Sequence, residues 1–311
     1  MAINYLRNIE QRTHVSNDII YEFESMLSNH SKITDVKKLL LDDYLLRLNF
    51  KFPKFKLPLF HKEITFSMLM GVGDFRFYIR YYKTHSTNAI YLFDAWPQYH
   101  DYIKFACESL NIKYLFCSSK IATENLAKKL NKTVVIWQPE AINCSFYKHV
   151  NYKEKDIDVL QIGRKYSKIQ NDLVLHFEKS SIKYIYQKKH LIFPNRNNFI
   201  NGLASSKISL CFPRSLTHPE VAGNQETMTV RYLQSMASKT LVVGKCPEEM
   251  KLLFPYNPVI DLDLSQPGDH IQDILNNYEH YIPLIERNYQ EVNKNHQWKN
   301  RWDNMINYLV E

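Results

Sequence analysis

Two short stretches carry side chains suited to anion binding and sugar chemistry. In "LQIGRKYSK" (160–168) an apolar run ends at Gly163 and is followed at once by Arg164, Lys165 and Lys168. A strand ending in glycine lets a ligand approach the backbone, and cations beside it neutralise a diphosphate; a basic surface turn has the same composition. In "CFPRSLTHPEVAGNQETMTVRYLQ" (211–234) a long loop with Arg214, His218, Glu220 and Gly223 leads into a helix expected to start near Asn224 to Glu226. The amino end of a helix offers unpaired N–H groups and partial positive charge, so phosphate oxygens are favoured there. Gln225, Thr227 and Arg231 stand close to that expected end. Glu226 is then set to accept hydrogen bonds from sugar hydroxyls. Gln234, about 12 Å further along the same helical face, is set to reach a ribose or a base. An ordinary surface helix capped by Asn224 accounts for the same residues.

Such groups act together only if strand ends bring them together. The chain has 311 residues, 45% of them apolar, enough for two domains with a core each, which excludes disordered and fibrous classes. The first 50 or so residues read as helical, in "SNDIIYEFESML" and "DVKKLLLDDYLLRLNF". Beyond "KFPKFKLPLF", the apolar runs "EITFSMLM", "AIYLFDA", "IKYLFCSS" and "TVVIWQP" alternate with amphipathic helices, the signature of a parallel sheet with helical crossovers. Polar "HVNYKEKD" (149–156) interrupts the pattern, which restarts with "IDVLQIG", "SIKYIYQ", "ISLCFP", "TLVVG" and "PVIDLD" before a helical tail. The expectation is an α/β chain of two Rossmann-like domains, 1–152 and 153–311, facing a central cleft, with ligands beyond the carboxyl ends of the strands.

A formal charge of +8 calls for an anionic partner: nucleic acid, acidic lipid or a phosphorylated small molecule. No nucleic-acid motif is recognisable. Five scattered cysteines fit reduced, buried thiols, and no metal-ligand spacing occurs. With no apolar run of about 18 residues and no secretion signal, a cytoplasmic location is expected.

The series "DVLQIGR", "NFINGLASSKISLCFPRS" and "NQETMTVRYLQSMASKTLVVGKCPEEMKLLF" resembles the C-terminal domain of GT-B glycosyltransferases, the group-1 or family-4-like clan, and especially its spore-maturation-protein-like branch. That branch carries R-x-F-E-x-M-A-x-G-x-L-L-V, matched here from Arg231 through Gln234, Met236, Ala237 and Lys239 to Val243. The tail, with His296, Trp298 and Arg301, is similar to the family's closing helices. The resemblance implies a transferase moving a sugar from a nucleotide-diphosphate donor to a glycan or lipid-linked acceptor, in bacterial surface polysaccharide assembly, with no metal and no separate cofactor. Peripheral contact with an anionic membrane would suit the basic surface; the alternatives are a sugar transferase acting on nucleic acid, whose phosphates the same charge would suit, and a non-catalytic sugar-nucleotide-binding subunit. By the same resemblance Arg164 and Lys168 take the phosphate, Glu226 the donor sugar and Gln234 the ribose. Two departures stand out: the second of the family's paired glutamates is the amide Gln234, and the glycine expected near Lys239 is absent.

In the first half, Gly71 and Gly73 follow a strand, and Asp94, His100 and Asp101 lie in or just after "FDAWPQYHD". For an inverting reaction, Asp94 or His100 is the candidate acceptor of the proton, and Glu140 in "QPEAIN" is placed similarly. A helix cap and a surface histidine are the alternatives. Trp96, Tyr99 and Trp137 suit either an acceptor platform or core packing.

Overall fold

The computed structural model describes residues 3–10, 17–27, 32–57, 61–188, 190 and 192–310. The chain divides into two compact units, one of residues 1–139 and 299–311, the other of 140–298.

In the first unit the elements run β1 (Ile3–Asn8), α1 (Asp18–Leu27), β2 (Lys32–Val36), α2 (Leu40–Lys51), β3 (His61–Leu69), α3 (Phe75–Thr84), β4 (His85–Leu92), α4 (His100–Ser109), β5 (Ile112–Cys117), α5 (Lys120–Lys129) and β6 (Val134–Trp137). All strands are parallel, in the order β2-β1-β3-β4-β5-β6. Ile64 to Leu69 of β3 are buried without alternation, as a strand covered by helices on both faces must be. Residues 3–8 and 32–36 are strands rather than the helix expected there. Their pairing, Asn4 opposite Lys32 through Asn8 opposite Val36, is non-local, and the Thr34 hydroxyl donates to Asn4 Oδ1 at 2.8 Å.

The second unit runs β7 (Ile157–Gln161), α6 (Ser167–Glu178), β8 (Tyr184–Tyr186), α7 (Arg196–Ala204), β9 (Ser206–Cys211), the short α8 (Arg214–Thr217) and α9 (Pro219–Ala222), α10 (Val230–Ala237), β10 (Leu241–Gly244), α11 (Glu248–Leu253), β11 (Ile260–Asp261), α12 (Pro267–Asn276) and α13 (Ile282–Asn295). Its parallel order is β11-β10-β9-β7-β8, so the strand order reverses between β7 and β9. Alternate strand residues enter opposite cores: Leu241, Val243, Val159 and Ile208 pack on one face, Val242 and Leu160 on the other.

The last helix, α14 (Trp298–Val310), returns to the first unit. Trp302 packs edge-on against Phe23 and tilted on Phe66, Tyr308 meets Phe116, and Arg301 Nε donates to the Pro139 carbonyl at 3.0 Å. Residues 140–152 join the second unit, ahead of the boundary expected at 152/153. Ile142 forms a parallel bridge with Gln297, and Trp298 N–H donates to the Ile142 carbonyl at 2.9 Å. The polar composition of 149–156 marks a loop there, not the crossing point.

Candidate functional site

The reversal between β7 and β9 makes a crevice outside the carboxyl ends of those strands, where doubly wound sheets bind ligands. Gly163, two residues beyond β7, has φ of +81°, and a Cβ built on it would overlap the guanidinium of Arg231. The left-handed backbone favours glycine here, and a side chain would also displace the flexible end of Arg231. Arg231 is the second residue of α10, half-buried, and among the described residues it makes no ion pair. Burial lowers its pKa, while the nearby Cys211 and Glu140 favour its charge. Arg164, next to Gly163 in sequence, is half-buried, and Lys168 stands exposed in the first turn of α6. Lys165 and Lys188 both lie over the ring of Tyr186.

The connector before α10 departs from the expected helix. Gly223, at φ +57°, reverses the chain after α9, and residues 224–229 run without helix, so α10 begins at Val230. Asn224 is therefore no cap; Thr229 holds that position without a side-chain hydrogen bond. One carboxylate supplies what a capping residue would, and a second holds the connector ahead of the helix. Val230 N–H donates to Glu140, and Met228 N–H to Glu249 Oε2 at 3.0 Å. Glu226 and Gln234 do not share a helical face. Glu226 lies in the connector and accepts from Glu248 N–H at 3.3 Å, at the start of α11. Gln234 is 6% exposed, and its Nε2 donates to the Tyr147 hydroxyl at 2.8 Å. Gln225 and Thr227 are buried in the connector, and the Thr227 hydroxyl has no protein partner among the described residues. Arg214 opens α8, and His218 separates α8 from α9 with Nδ1 3.1 Å from Thr217 Oγ1.

The structure thus joins Gly163, Arg231 and Glu140 around the start of α10 and commits Gln234 to the interior. Sequence reasoning missed the hold of Glu249 on the connector. Its signal was the acidic pair Glu248 and Glu249 after Pro247, which reads as the first turn of its own helix.

In the first unit, Gly71 and Gly73 follow β3 with open space where side chains would stand, and Met70 N–H is capped by Asp74 at 2.8 Å. Asp94 is half-buried just beyond β4. His100 is 4% exposed; its Nε2–H donates to the Ala95 carbonyl at 3.2 Å, and burial lowers its pKa, so it is a neutral anchor of the turn into α4 rather than a surface side chain. Asp101 pairs with Lys129 on the surface. Trp96 is core, Tyr99 is exposed, and Trp137 is half-buried with its indole N–H on the Ser118 carbonyl. Among the described residues no group of three or more His, Cys, Asp or Glu is placed to hold a metal ion, and no helix is long and apolar enough to cross a membrane.

No protein-family model matches the sequence, and no curated protein matches it. Solved structures do match by shape. HepE of Anabaena, solved with UDP and glucose, is similar at TM-score 0.59 and 8% identity over 100% of this chain and 99% of that one. Sucrose-phosphate synthase of Thermosynechococcus elongatus is similar at TM-score 0.63 and 10% identity, over 100% and 98%. A glycosyltransferase of Rickettsia africae gives TM-score 0.55 at 10% identity, over 99% and 97%. This chain has the GT-B fold. At such identities the likeness is one of backbone, and in GT-B terms the crevice between β7 and β9 lies in the second of two Rossmann-like domains.

Proposed function

We propose that this chain is a glycosyltransferase of the group-1 or family-4-like kind, moving a sugar from a nucleoside-diphosphate donor to a glycan or lipid-linked acceptor in surface polysaccharide assembly. The observation that carries the reading is Arg231, a cation seated against Gly163 at the strand-order reversal, without an ion pair among the described residues. In the reaction the bond from the anomeric carbon to the diphosphate breaks and a bond to the acceptor oxygen forms. Negative charge grows on the leaving diphosphate, and the acceptor proton passes to a base. Arg231, with Arg164 and Lys168, would stabilise that growing charge without a metal. Glu226 would accept from donor hydroxyls, and Asp94 would take the proton if the configuration inverts. Gln234 would act from behind, by fixing Tyr147. The basic surface suits docking on anionic lipid.

The HepE structure supplies UDP as the first probe. Thermal shift with UDP, GDP, dTDP and CDP should raise the melting temperature for at least one, since binding favours the native state. A charge-assisted bond is worth about 1.5–3 kcal/mol, so Arg231→Ala should weaken that nucleotide tenfold or more in calorimetric titration. A flat response to all four overturns the proposal. A second reading, a non-catalytic sugar-nucleotide-binding subunit, draws on the amide at Gln234 being bonded to Tyr147. Tight nucleotide binding without release of sugar from any donor would favour it.

A further inference from the structure

A second concavity lies wholly within the first unit, between β6 and α14. It has a volume of about 440 Å³ and is lined by Ile136, Trp137, Gln138, Asn304, Asn307 and Tyr308. In a chain of formal charge +8, none of these six is charged. A nucleotide, an acidic peptide or a lipid headgroup would find no counter-ion among them. The groove instead offers two aromatic rings and the two exposed amides of Asn304 and Asn307; Gln138 is 4% exposed, and its Nε2 donates to the Arg301 carbonyl at 3.4 Å.

Both rings are held before any ligand arrives. Trp137 is tied through its indole N–H to the Ser118 carbonyl at 3.3 Å, and Tyr308 packs edge-on against Phe116. Gln138 is fixed by its backbone: its N–H donates to Cys117, and its carbonyl accepts from Tyr91. Asn304, Asn307 and Tyr308 stand at i, i+3 and i+4, which puts them on one face of α14. Trp302, Met305 and Leu309 occupy the buried face. Asparagine is a poor helix former, and an exposed helical surface with no other duty is better served by Glu, Lys or Ala. Yet both asparagines are exposed and, among the described residues, neither has a hydrogen-bond partner. Flat apolar faces beside paired donors and acceptors, without charge, match the two surfaces of a pyranose: its C–H face and its hydroxyl rim.

We propose that this groove binds an uncharged oligosaccharide. In taking that ligand to be the acceptor or the growing glycan, the proposal rests on the transferase reading above. The residues of the groove all belong to the first unit, and those assigned to the nucleotide all belong to the second.

Trp96, Trp298 and Trp302 are no more than 7% exposed, whereas Trp137 is half-buried, so acrylamide quenching of tryptophan emission reports mainly on Trp137. Cellotetraose, maltotetraose, mannotetraose and N-acetylchitotetraose serve as probes on the full chain, with tetragalacturonate and tetra-alanine as charged and peptide controls. At least one neutral tetrasaccharide should shield Trp137 at millimolar concentration. The double variant Asn304→Ala/Asn307→Ala should weaken that binding tenfold or more, with melting temperature unchanged and UDP affinity within twofold. Saturation-transfer NMR on Trp137→Phe should show the sugar signal reduced as well. Shielding by none of the four sugars, shielding by tetra-alanine instead, or undiminished binding by the asparagine variant overturns the proposal. Because UDP is titrated in parallel, a failure of the groove with UDP binding intact is separate from a failure of the transferase reading.

Discussion

Gly163 and Arg231 are one functional object, although each is legible alone in the sequence only as a residue type. The left-handed backbone at 163 disfavours any side chain by about 1–2 kcal/mol, and the overlap with the guanidinium adds displacement of Arg231. Gly163→Ala should therefore lower stability by about 1–2 kcal/mol in urea unfolding and weaken UDP at least tenfold. Arg231→Ala made in that background should add little more, because the two changes remove the same interaction. Full additivity would show that Arg231 binds independently of its seat. The sequence marked Gly163 as the end of an apolar run and Arg231 as a residue near an expected helix start, but not their meeting, which depends on β7 and α10 being brought together by the sheet. His100 shows the converse. Its type and strand-end position suggest proton transfer, while its 4% exposure and its bond to Ala95 follow from packing that no local pattern reports.

At the scale of elements, the amino end of α10 is where local reading and tertiary structure part. Asn224 followed by Glu226 looks like a cap and first turn, yet the reversal at Gly223 sends 224–229 across as a connector, and Glu140, remote in sequence, takes the first N–H of the helix. Glu140 therefore brings a negative charge to the N–H group and the arginine that an incoming phosphate would use. Glu140→Gln keeps an acceptor for Val230 N–H and removes the charge. UDP should bind about three- to tenfold tighter, as a charge at a helix end is worth about 0.3–1 kcal/mol or somewhat more when partly buried. The gain should shrink at high salt. Weaker UDP binding would mean that Glu140 assists the ligand. The other end of α10 was more legible. The sequence flagged a missing glycine near Lys239, and Lys239 does adopt φ of +51° in the turn that closes the helix, with Lys239 N–H on Met236 and Thr240 N–H on Ser235. Its ammonium, 2.8 Å from Glu286 and over the Tyr289 ring, offsets the backbone cost that glycine would avoid.

For the molecule as a whole, strand-helix alternation made both parallel sheets legible. It failed for β1 and β2, where the neighbouring helices dominate the periodicity, and for the return of α14, which is a matter of tertiary packing. In the second unit, Lys155 couples stability to pH. Lys155 is buried and donates to the carbonyls of Ala204, Ser206 and Ser238. Burial lowers its pKa from 10.5 to about 7. Between those values the unfolded chain holds a proton that the native state has released, so this contribution to stability rises with pH above 7 and is flat below it. One proton gives at most about 1.4 kcal/mol per pH unit. Urea unfolding at pH 7, 8 and 9 should show a rise in the wild type that Lys155→Met lacks; parallel slopes would return Lys155 to its charged form throughout. The two-unit organisation yields the last expectation. Trp302, Met305 and Leu309 of α14 are buried in the first unit, and burying three such side chains is worth about 5–9 kcal/mol, the scale of a whole domain's stability. A chain ending at Trp298 should lose the near-ultraviolet circular dichroism of the first unit and aggregate through Phe23, Phe66 and Phe116. Every residue assigned here to the nucleotide lies in the second unit, so the truncated chain should still be stabilised by UDP. Loss of that response would show that the second unit does not hold the nucleotide by itself.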